Sequence, residues 1–284
     1  MFSDVLLTVD FDRTMTGPDS KIPQRNLDAV AFFMENGGTF TINTGRSVSS
    51  FKKHLGKVPV NAPILMYNGS ARWENGQLTQ LKLLDMDLWE TVNTLRAQFP
   101  GMNLEIQGTD AHYLIDPEPA YVAFYDALKW GYRIAKPGDD LGPFMKFALA
   151  GSPKSKSVAT LFDISEKEDA AFDAAQARIL ELWEGKVEVY RAAPRIIDVH
   201  AKGVSKIAAA RQLQKELGKK ILICAGDAEN DIPMLEGADF AFCPSDGMVA
   251  NRFPNVCACA QGAIADIIYK KIPEILGLSL DNKA

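Results

Sequence analysis

The sequence predicts an α/β protein with a parallel-sheet core and an inserted α+β module. Near both ends of the chain, short apolar runs alternate with helical patterns, which is typical of a parallel sheet covered by helices. In the middle of the chain, strand patterns follow one another directly, which favours an antiparallel sheet. Polar residues follow the strand patterns near the two ends, where open α/β sheets build their sites.

Composition limits the class of protein before any motif is considered. The 284 residues are 47% hydrophobic and 24% charged, which is ordinary for a globular protein with a sizeable core. The net charge of −5 argues against a general nucleic-acid binder, which usually carries a basic surface. The net charge does not exclude a small anionic substrate, because the charges near a binding site matter more than the total charge of the protein.

The sequence also predicts a cytoplasmic protein. No apolar run approaches the roughly 20 residues that a membrane span needs, and no basic segment followed by a long apolar one opens the chain. Cys257 and Cys259 lack the second ligand pair of a zinc site, and Cys224 lies in an apolar run as a small buried residue would. We expect a reduced setting without disulfides. No pattern predicts an oligomeric state.

The N-terminal part has the strand–helix alternation of a parallel sheet. Strands are predicted at 5–9, 39–43 and 64–67, and helices at 24–36 and about 48–55. The chain returns to this alternation near its C-terminal end. The predicted elements there are a helix at 205–217, a strand at 220–225, a helix at 232–236, a strand at 240–242 and a helix at 263–272. Residues 281–284 are expected to form a free tail.

The middle part is predicted to be a separate module. Its predicted helices are 85–99, 119–130 and 166–183, and its predicted strands are 102–106, 112–115, 144–150, 186–191 and 195–200. We therefore assign residues 1–82 and 195–284 to the core and residues 83–194 to the inserted module.

Two aspartates at the end of the first strand are the first candidate site residues. Asp10 and Asp12 are separated by one residue, so in extended chain they emerge on one side. Like charges this close repel each other unless something neutralises them. A divalent cation does so, and oxygen ligands suit Mg²⁺. Alone, the same pattern would equally fit a solvated strand end.

Three more polar clusters lie at predicted strand ends or helix starts. They are Thr44-Gly45-Arg46, Lys206, and the segment Gly226–Asp231. In a parallel sheet such ends face one edge, so the clusters can converge with Asp10 and Asp12. Asp10 and Asp227, helped by Asn230 or Asp231, offer the ligands for a magnesium ion.

This set of residue types suits phosphoryl transfer. A carboxylate oxygen of Asp10 can attack phosphorus to form an aspartyl phosphate. Asp12 can protonate the leaving alcohol and then accept a proton from water. The Thr44 hydroxyl can bind phosphoryl oxygens, and Lys206 can offset the negative charge of the nucleophile and the phosphoryl group. Lys202 is a nearby rival for the charge role.

In order along the chain, these motifs resemble those of the haloacid dehalogenase (HAD) superfamily, and specifically its Cof-type (subfamily IIB) phosphatases. The matching segments are Asp10–Thr14, Thr44–Arg46, Gly203–Lys206 and Gly226–Asp231, and Tyr67-Asn68-Gly69 fits the pattern of that branch. The resemblance covers the whole chain. It implies a Rossmann-like core, a C2-type cap that selects the substrate, and dependence on magnesium.

The resemblance also implies roles for individual residues. Asp10 would be the nucleophile and Asp12 the acid/base, with Lys206 as the third catalytic residue. The implied metal ligands are the side chains of Asp10, Asp227 and Asp231 and the backbone carbonyl of Asp12. The implied phosphate-binding residues are Thr44, Gly45, Arg46, Asn68 and Asn230. One departure stands out, because Arg13 occupies a position that is usually glycine; it would add a phosphate contact or point to solvent.

The leading hypothesis is a magnesium-dependent phosphatase of a small phosphate ester such as a sugar phosphate. Two alternatives stay open: a phosphotransferase like the related phosphomannomutases, and a catalytically silent protein that binds a ligand. A NAD-dependent dehydrogenase is disfavoured, because no Gly-x-Gly-x-x-Gly follows a strand. Within the cap, one of Lys146, Arg191 and Arg195 could reach the substrate, but the sequence favours a solvated sheet face for each of them. It favours structural or surface roles for His112 and His200.

Overall fold

A computed structural model describes residues 1–279; the predicted tail at 281–284 lies outside the described residues. The strands are β1 (Val5–Val9), β2 (Thr39–Ile42), β3 (Ile64–Met66), β4 (Ala71–Glu74), β5 (Gln77–Thr79), β6 (Asn103–Gly108), β7 (His112–Ile115), β8 (Arg133–Ala135), β9 (Phe144–Ala150), β10 (Val187–Ala193), β11 (Ile196–Ala201), β12 (Ile221–Ala225), β13 (Phe240–Pro244) and β14 (Asn255–Val256).

Most of the helices begin where the sequence places them. They are α1 (Gln24–Glu35), α2 (Val48–Phe51), α3 (Leu88–Gln98), α4 (Pro119–Leu128), α5 (Glu166–Leu182), α6 (Lys206–Glu216), α7 (Ile232–Glu236), α8 (Ala263–Asp266) and α9 (Ile272–Leu276). A π-helical segment, Ile267–Lys271, joins α8 to α9. Among the helices of residues 1–279, none combines the length and apolar character that crossing a membrane requires.

The chain divides into two compact units. The first unit comprises residues 1–45, 54–79 and the chain from Ser205 onward, and the second comprises residues 46–53 and 80–204. An inserted module is therefore confirmed, but its predicted end at residue 194 is wrong. β11 is hydrogen-bonded to β9 and β10 within one sheet, so the chain leaves the module only after β11.

The first unit is built on a parallel sheet with strand order β14-β13-β12-β1-β2. β1 is an interior strand of this sheet, and it pairs in parallel with β12 and with β2. All five residues of β1 are buried, which explains why all but Thr8 are apolar, because strands with helices on both faces need apolar side chains on both. The predicted parallel sheet is confirmed, and its carboxyl edge lies at Asp10.

A hairpin follows β3 that the sequence pattern did not predict. β3, β4 and β5 form a small antiparallel sheet, and β4 is joined to β5 by Asn75 and Gly76. Both turn residues have positive φ, 51° and 81°, as a two-residue hairpin turn of the Asn-Gly kind requires. β3 itself remains beside β2 through a parallel bridge between Asn43 and Leu65.

The second unit is built on a six-stranded sheet with order β10-β11-β9-β6-β7-β8. Its pairs are antiparallel, as predicted, except that β7 and β8 run parallel. One face of this sheet is apolar and contributes Ile106, Phe147 and Val199 to a core that includes residues of α3 and α5. Because side chains alternate along a strand, the residues between them belong to the opposite face, which carries polar residues.

The predicted solvated face of this unit is wrong. Lys146 is 4% exposed and its ammonium lies 2.8 Å from Asp198. Arg191 and Arg195 are also buried and are paired with acidic residues of α5. Burying long cations requires partners, and these partners are too distant in sequence for local patterns to reveal them. The free cysteines among residues 1–279 include Cys224, which is fully buried as predicted.

Candidate active site

Two of the predicted carboxylates are brought together by strand pairing. Asp10 follows β1 and Asp227 follows β12, and Val9 pairs with Ala225 at the ends of these strands. The backbone N–H of Asp10 donates to the carbonyl of Ala225 over 2.8 Å. Thr14 and Asp227, which are 213 positions apart in the chain, also meet at this edge. The Thr14 Oγ1 donates to Asp227 Oδ1 over 3.0 Å.

A tight π-helical turn, Phe11–Met15, carries the chain away from Asp10. Within it, Arg13 has φ 56° and ψ 10°, a left-handed conformation that favours glycine. The Arg13 Nε lies 3.8 Å from Asp227 Oδ2, and its side chain is 34% exposed. Arg13 therefore lies beside Asp227, a position that neither prediction named, and its phosphate contact stays a prediction.

Lys206 lies between two carboxylates at the first residue of α6. Ser205 caps this helix, because its hydroxyl accepts from the backbone N–H of Ala208 over 3.1 Å. The Lys206 Nζ lies 2.6 Å from Asp10 Oδ1 and 2.6 Å from Asp231 Oδ1. Lys206 is 2% exposed, so both are buried, charge-assisted contacts.

Asp231 holds the loop after β12 as well as the lysine. Its Oδ2 accepts backbone N–H groups from Asp227 at 3.0 Å and Ala228 at 3.1 Å. Gly226 makes room for this carboxylate, since a Cβ there would lie 2.5 Å from the side chain of Asp231. The Gly-Asp-x-x-Asn-Asp motif is thus a loop folded around its last aspartate.

Burial and close charges shift the pKa values of the residues in this site. Burial raises the pKa of Asp10 to about 7, helped by the negative charges of Asp231 and Asp12 and opposed by Lys206. The pKa of Asp227 lies well above its usual range, because that group is buried near Asp10 and Asp231. The pKa of Lys206 is raised, since its two carboxylate partners outweigh the effect of burial.

The carboxylates fit a divalent cation. Asp10, Asp227 and Asp231 each offer an oxygen within 4.8 Å of the others. One lysine offsets only part of their charge, and the pKa values of Asp10 and Asp227 are raised first by burial and then by the repulsion between the carboxylates. Hard oxygen donors grouped in this way suit Mg²⁺. Asp12 does not belong to this side-chain group, and its predicted backbone ligation and acid/base role stay predictions.

The predicted phosphate-binding residues Thr44, Gly45 and Asn68 lie together. Thr44 is 1% exposed; its carbonyl accepts from the backbone N–H of Asn68 over 3.0 Å. A Cβ on Gly45 would lie 2.8 Å from Asn68 Oδ1, and one on Gly69 would lie 2.6 Å from the carbonyl of Ser205. The Tyr67–Gly69 turn therefore packs closely against the start of α6, the helix that carries Lys206.

The other two predicted phosphate-binding residues are Arg46 and Asn230. Arg46 belongs to the second unit, where its Nη1 donates to the carbonyl of Ser50 over 3.1 Å and its guanidinium lies 6.0 Å from the Trp130 ring centre. Asn230 lies half-buried in the turn Glu229–Asp231. Their phosphate contacts stay predictions.

The rival lysine and two overlooked residues are also located. The Nζ of Lys202 lies 3.1 Å from Glu188 in the second unit, so Lys206 is the lysine of the acidic group. Sequence reasoning placed Thr14 in the first motif but gave no role to its hydroxyl, which donates to Asp227 as described above. It also missed Asn43, whose Nδ2 donates to the carbonyl of Lys206 over 2.9 Å. The position of Thr14 in the motif after the first strand, and that of Asn43 next to Thr44 at the end of the second, were the available signals.

Comparison with known proteins agrees with this arrangement. Residues 7–251 match the family model of haloacid dehalogenase-like hydrolases. The chain is 23% identical over 243 residues to a Bacillus subtilis protein named 5-amino-6-(5-phospho-D-ribitylamino)uracil phosphatase, covering 82% of this chain and 80% of the relative.

Solved structures resemble the fold at low sequence identity. A Streptococcus mutans protein has a TM-score of 0.78 at 15% identity, covering 96% of this chain and 99% of that one. A sugar phosphatase of HAD subclass IIB has a TM-score of 0.71 at 17% identity, covering 96% and 98%. The family match spans most of the chain and includes both Asp10 and Asp227. The chain therefore belongs to the haloacid dehalogenase-like hydrolases.

Proposed function

We propose that this protein is a magnesium-dependent phosphatase of small phosphorylated metabolites such as sugar phosphates, acting through an aspartyl phosphate. The observation that carries the proposal is the position of Lys206, 2.6 Å from both Asp10 and Asp231. In this position the buried Lys206 ammonium orients the carboxylate nucleophile. That arrangement is suited to attack on an anionic phosphate. The names of the B. subtilis relative and of the subclass IIB structure support a phosphate ester as substrate.

The roles of the residues follow from their contacts. Lys206 binds Oδ1 of Asp10, and we assign the attack on phosphorus to Oδ2. As the Asp10–phosphorus bond forms, the bond from phosphorus to the alcohol oxygen breaks, and Asp12 gives that oxygen its proton. Asp12 then takes a proton from water, whose oxygen attacks phosphorus and releases Asp10 and inorganic phosphate.

The remaining residues hold the phosphoryl group and the cation. Thr44, Gly45 and Asn68, which lie together, would bind phosphoryl oxygens, with Arg46 and Asn230 as further candidates. The side chains of Asp10, Asp227 and Asp231 and the carbonyl of Asp12 would hold the ion. Bound Mg²⁺ supplies positive charge that permits a dianionic phosphate to approach these carboxylates. We also propose that the second unit selects the alcohol part of the substrate.

The first experiment measures phosphate release from a panel of phosphate esters with Mg²⁺ and with a chelator. We expect Asp10→Asn to lower kcat by at least about a thousandfold, because it removes the nucleophile. Asp19→Asn is the matched control, since Asp19 is an exposed acid of the same unit. Near-full activity of Asp10→Asn would reject the mechanism, and transfer to a sugar acceptor in preference to water would favour a phosphotransferase.

The second experiment measures the metal site without relying on turnover. Mg²⁺ that binds the folded protein raises its melting temperature in proportion to ln(1 + [Mg²⁺]/Kd). We expect this rise in the wild type and in Asp19→Asn, and its loss in Asp227→Asn. An equal rise in Asp227→Asn would show that the ion binds elsewhere.

A further inference from the structure

Asn43 connects two elements of the acidic site within the first unit. It follows β2 directly, and its backbone N–H donates to the carbonyl of Val9 over 2.8 Å. That bond places it beside the strand end from which Asp10 emerges. Its side-chain Nδ2 donates to the carbonyl of Lys206 over 2.9 Å. One residue is therefore bonded both to the strand that leads to Asp10 and to the helix that carries Lys206.

The amide of Asn43 is costly at this position. Asn43 is 0% exposed, and its Oδ1 is bonded by no atom of residues 1–279. Leaving a buried acceptor unpaired lowers stability. The neighbouring side chains of Leu65 and Met234 belong to an apolar cluster, where an apolar residue would pack without that cost. Packing therefore does not account for an asparagine here, whereas the bond from its Nδ2 does.

The carbonyl of Lys206 is an effective point at which to hold α6. Lys206 is the first residue of that helix, so a shift of its backbone moves the whole lysine side chain. The cap by Ser205 bonds the helix only to itself. The Asn43 amide, in contrast, bonds the helix to the end of β2. On another side, a Cβ on Gly69 would lie 2.6 Å from the carbonyl of Ser205, so the turn after β3 also restrains the helix start.

The lysine needs such an anchor because its side chain has two partners. The Lys206 Nζ lies 2.6 Å from Asp10 Oδ1 and 2.6 Å from Asp231 Oδ1. Asp231 lies on the loop after β12, and the flexible stem of a lysine allows the ammonium to stay with one carboxylate while it leaves the other. Asn43 bonds the lysine backbone and is itself bonded to the strand of Asp10, so it restrains the distance that matters for the nucleophile.

We propose that Asn43 is a positioning residue for Lys206, and that it holds the lysine ammonium against the nucleophilic carboxylate of Asp10. This proposal rests on the proposed phosphatase function. Asn43 acts through the backbone of Lys206, because its amide is bonded to that carbonyl. Its loss should slow the chemical step more than it weakens substrate binding, since small displacements of a catalytic group are expensive in rate.

The first test uses two variants with opposite packing errors. Asn43→Ala leaves a space and Asn43→Leu overfills it, and both lack the amide donor. We expect each to lower kcat for phosphate release about tenfold, with KM changed less than about threefold. Asn61→Ala is the matched control, because the Nδ2 of this exposed asparagine donates to the carbonyl of Gly38 over 2.8 Å, away from α6. Its kcat should change less than about twofold. An unchanged kcat in a folded Asn43 variant would overturn the proposal.

A double variant separates positioning from a structural role. In Lys206→Met the ammonium is absent, so adding Asn43→Ala should lower kcat further by less than about twofold, against about tenfold in the wild-type background. An asparagine that only stabilised the fold would lower kcat by the same factor in both backgrounds. That result would overturn the proposal, even if Asn43→Leu does not fold.

Thermal unfolding judges the same coupling without any turnover. If the wild type released phosphate from no ester, the proposed function would fail while the contact between Asn43 and Lys206 could still be tested. Lys206→Met should then lower the melting temperature less in the Asn43→Ala background than in the wild type, by at least about 2 °C, because the lysine has already lost its anchor. Equal decreases in the two backgrounds would show that Asn43 does not hold Lys206, and would overturn the proposal.

Discussion

Lys206 and Asp231 form a buried ion pair with 2.6 Å between Nζ and Oδ1. The same aspartate accepts two backbone N–H groups of the loop after β12. The lysine is therefore fixed to the loop that also carries Asp227, and its second contact reaches Asp10. One cation thus joins the helix α6 to the ends of two neighbouring strands.

Replacing this lysine should remove activity and stability together. We expect Lys206→Met to lower kcat by about a hundredfold or more, because a charge aimed at the reacting group is lost. It should also lower the free energy of unfolding by about 3 kcal/mol, because two buried carboxylates lose their partner. Urea unfolding and phosphate release measure these effects. Lys202→Met is the control, and a larger loss of activity there would favour the rival lysine.

Arg13 gives a prediction about backbone strain in the first turn of the site. Its left-handed φ of 56° is costly for residues with a Cβ and is not for glycine. Arg13→Gly and Arg13→Ala lose the same guanidinium and its contact with Asp227. We therefore expect Arg13→Gly to be more stable than Arg13→Ala by about 1 kcal/mol, measured by urea unfolding. Equal stability would mean that the turn relaxes without glycine.

The parts of the site that the sequence predicted are those that depend on strand order. Asp10 and Asp227 follow apolar runs, and parallel neighbours bring such positions to one edge, so their meeting could be expected. The partners of Lys206 could be proposed for the same reason. The unit to which Arg46 belongs could not be predicted. Residue 45 is the last of a segment of the first unit and Arg46 is the first of the second unit, and the sequence pattern does not change between them.

The second unit shows where local pattern stops being informative. Lys146 and Asp198 are 52 residues apart and form a buried pair, yet each alone is typical of a solvated strand face. Burial of a charge depends on a partner elsewhere in the chain, and a single-strand pattern does not contain that partner. The hairpin turn Asn75-Gly76, by contrast, was present as a local signal and was overlooked.

Glu105 gives a prediction about stability in acid. Burial alone would raise its pKa, but the His112 ring and hydrogen bonds from His112, Tyr121 and Tyr125 outweigh it and lower the pKa to about 2. The unfolded chain has the ordinary value of 4.5. Since the folded pKa is the lower one, the stability that ionised Glu105 contributes is complete above pH 4.5 and is lost as the pH falls toward 2.

The measurement is urea unfolding of wild type, Glu105→Gln and Glu90→Gln between pH 7 and pH 3. Each unit of pKa difference corresponds to about 1.4 kcal/mol, so Glu105→Gln should be less stable than wild type by about 3 kcal/mol at pH 7. That difference should shrink steadily below pH 4.5, the unfolded value, because Glu105→Gln lacks the carboxylate whose protonation costs the wild type stability there. Glu90 is exposed on α3, so its variant should follow the wild type throughout. A difference that stayed constant down to pH 3 would show that Glu105 stabilises the sheet by packing and not by its charge.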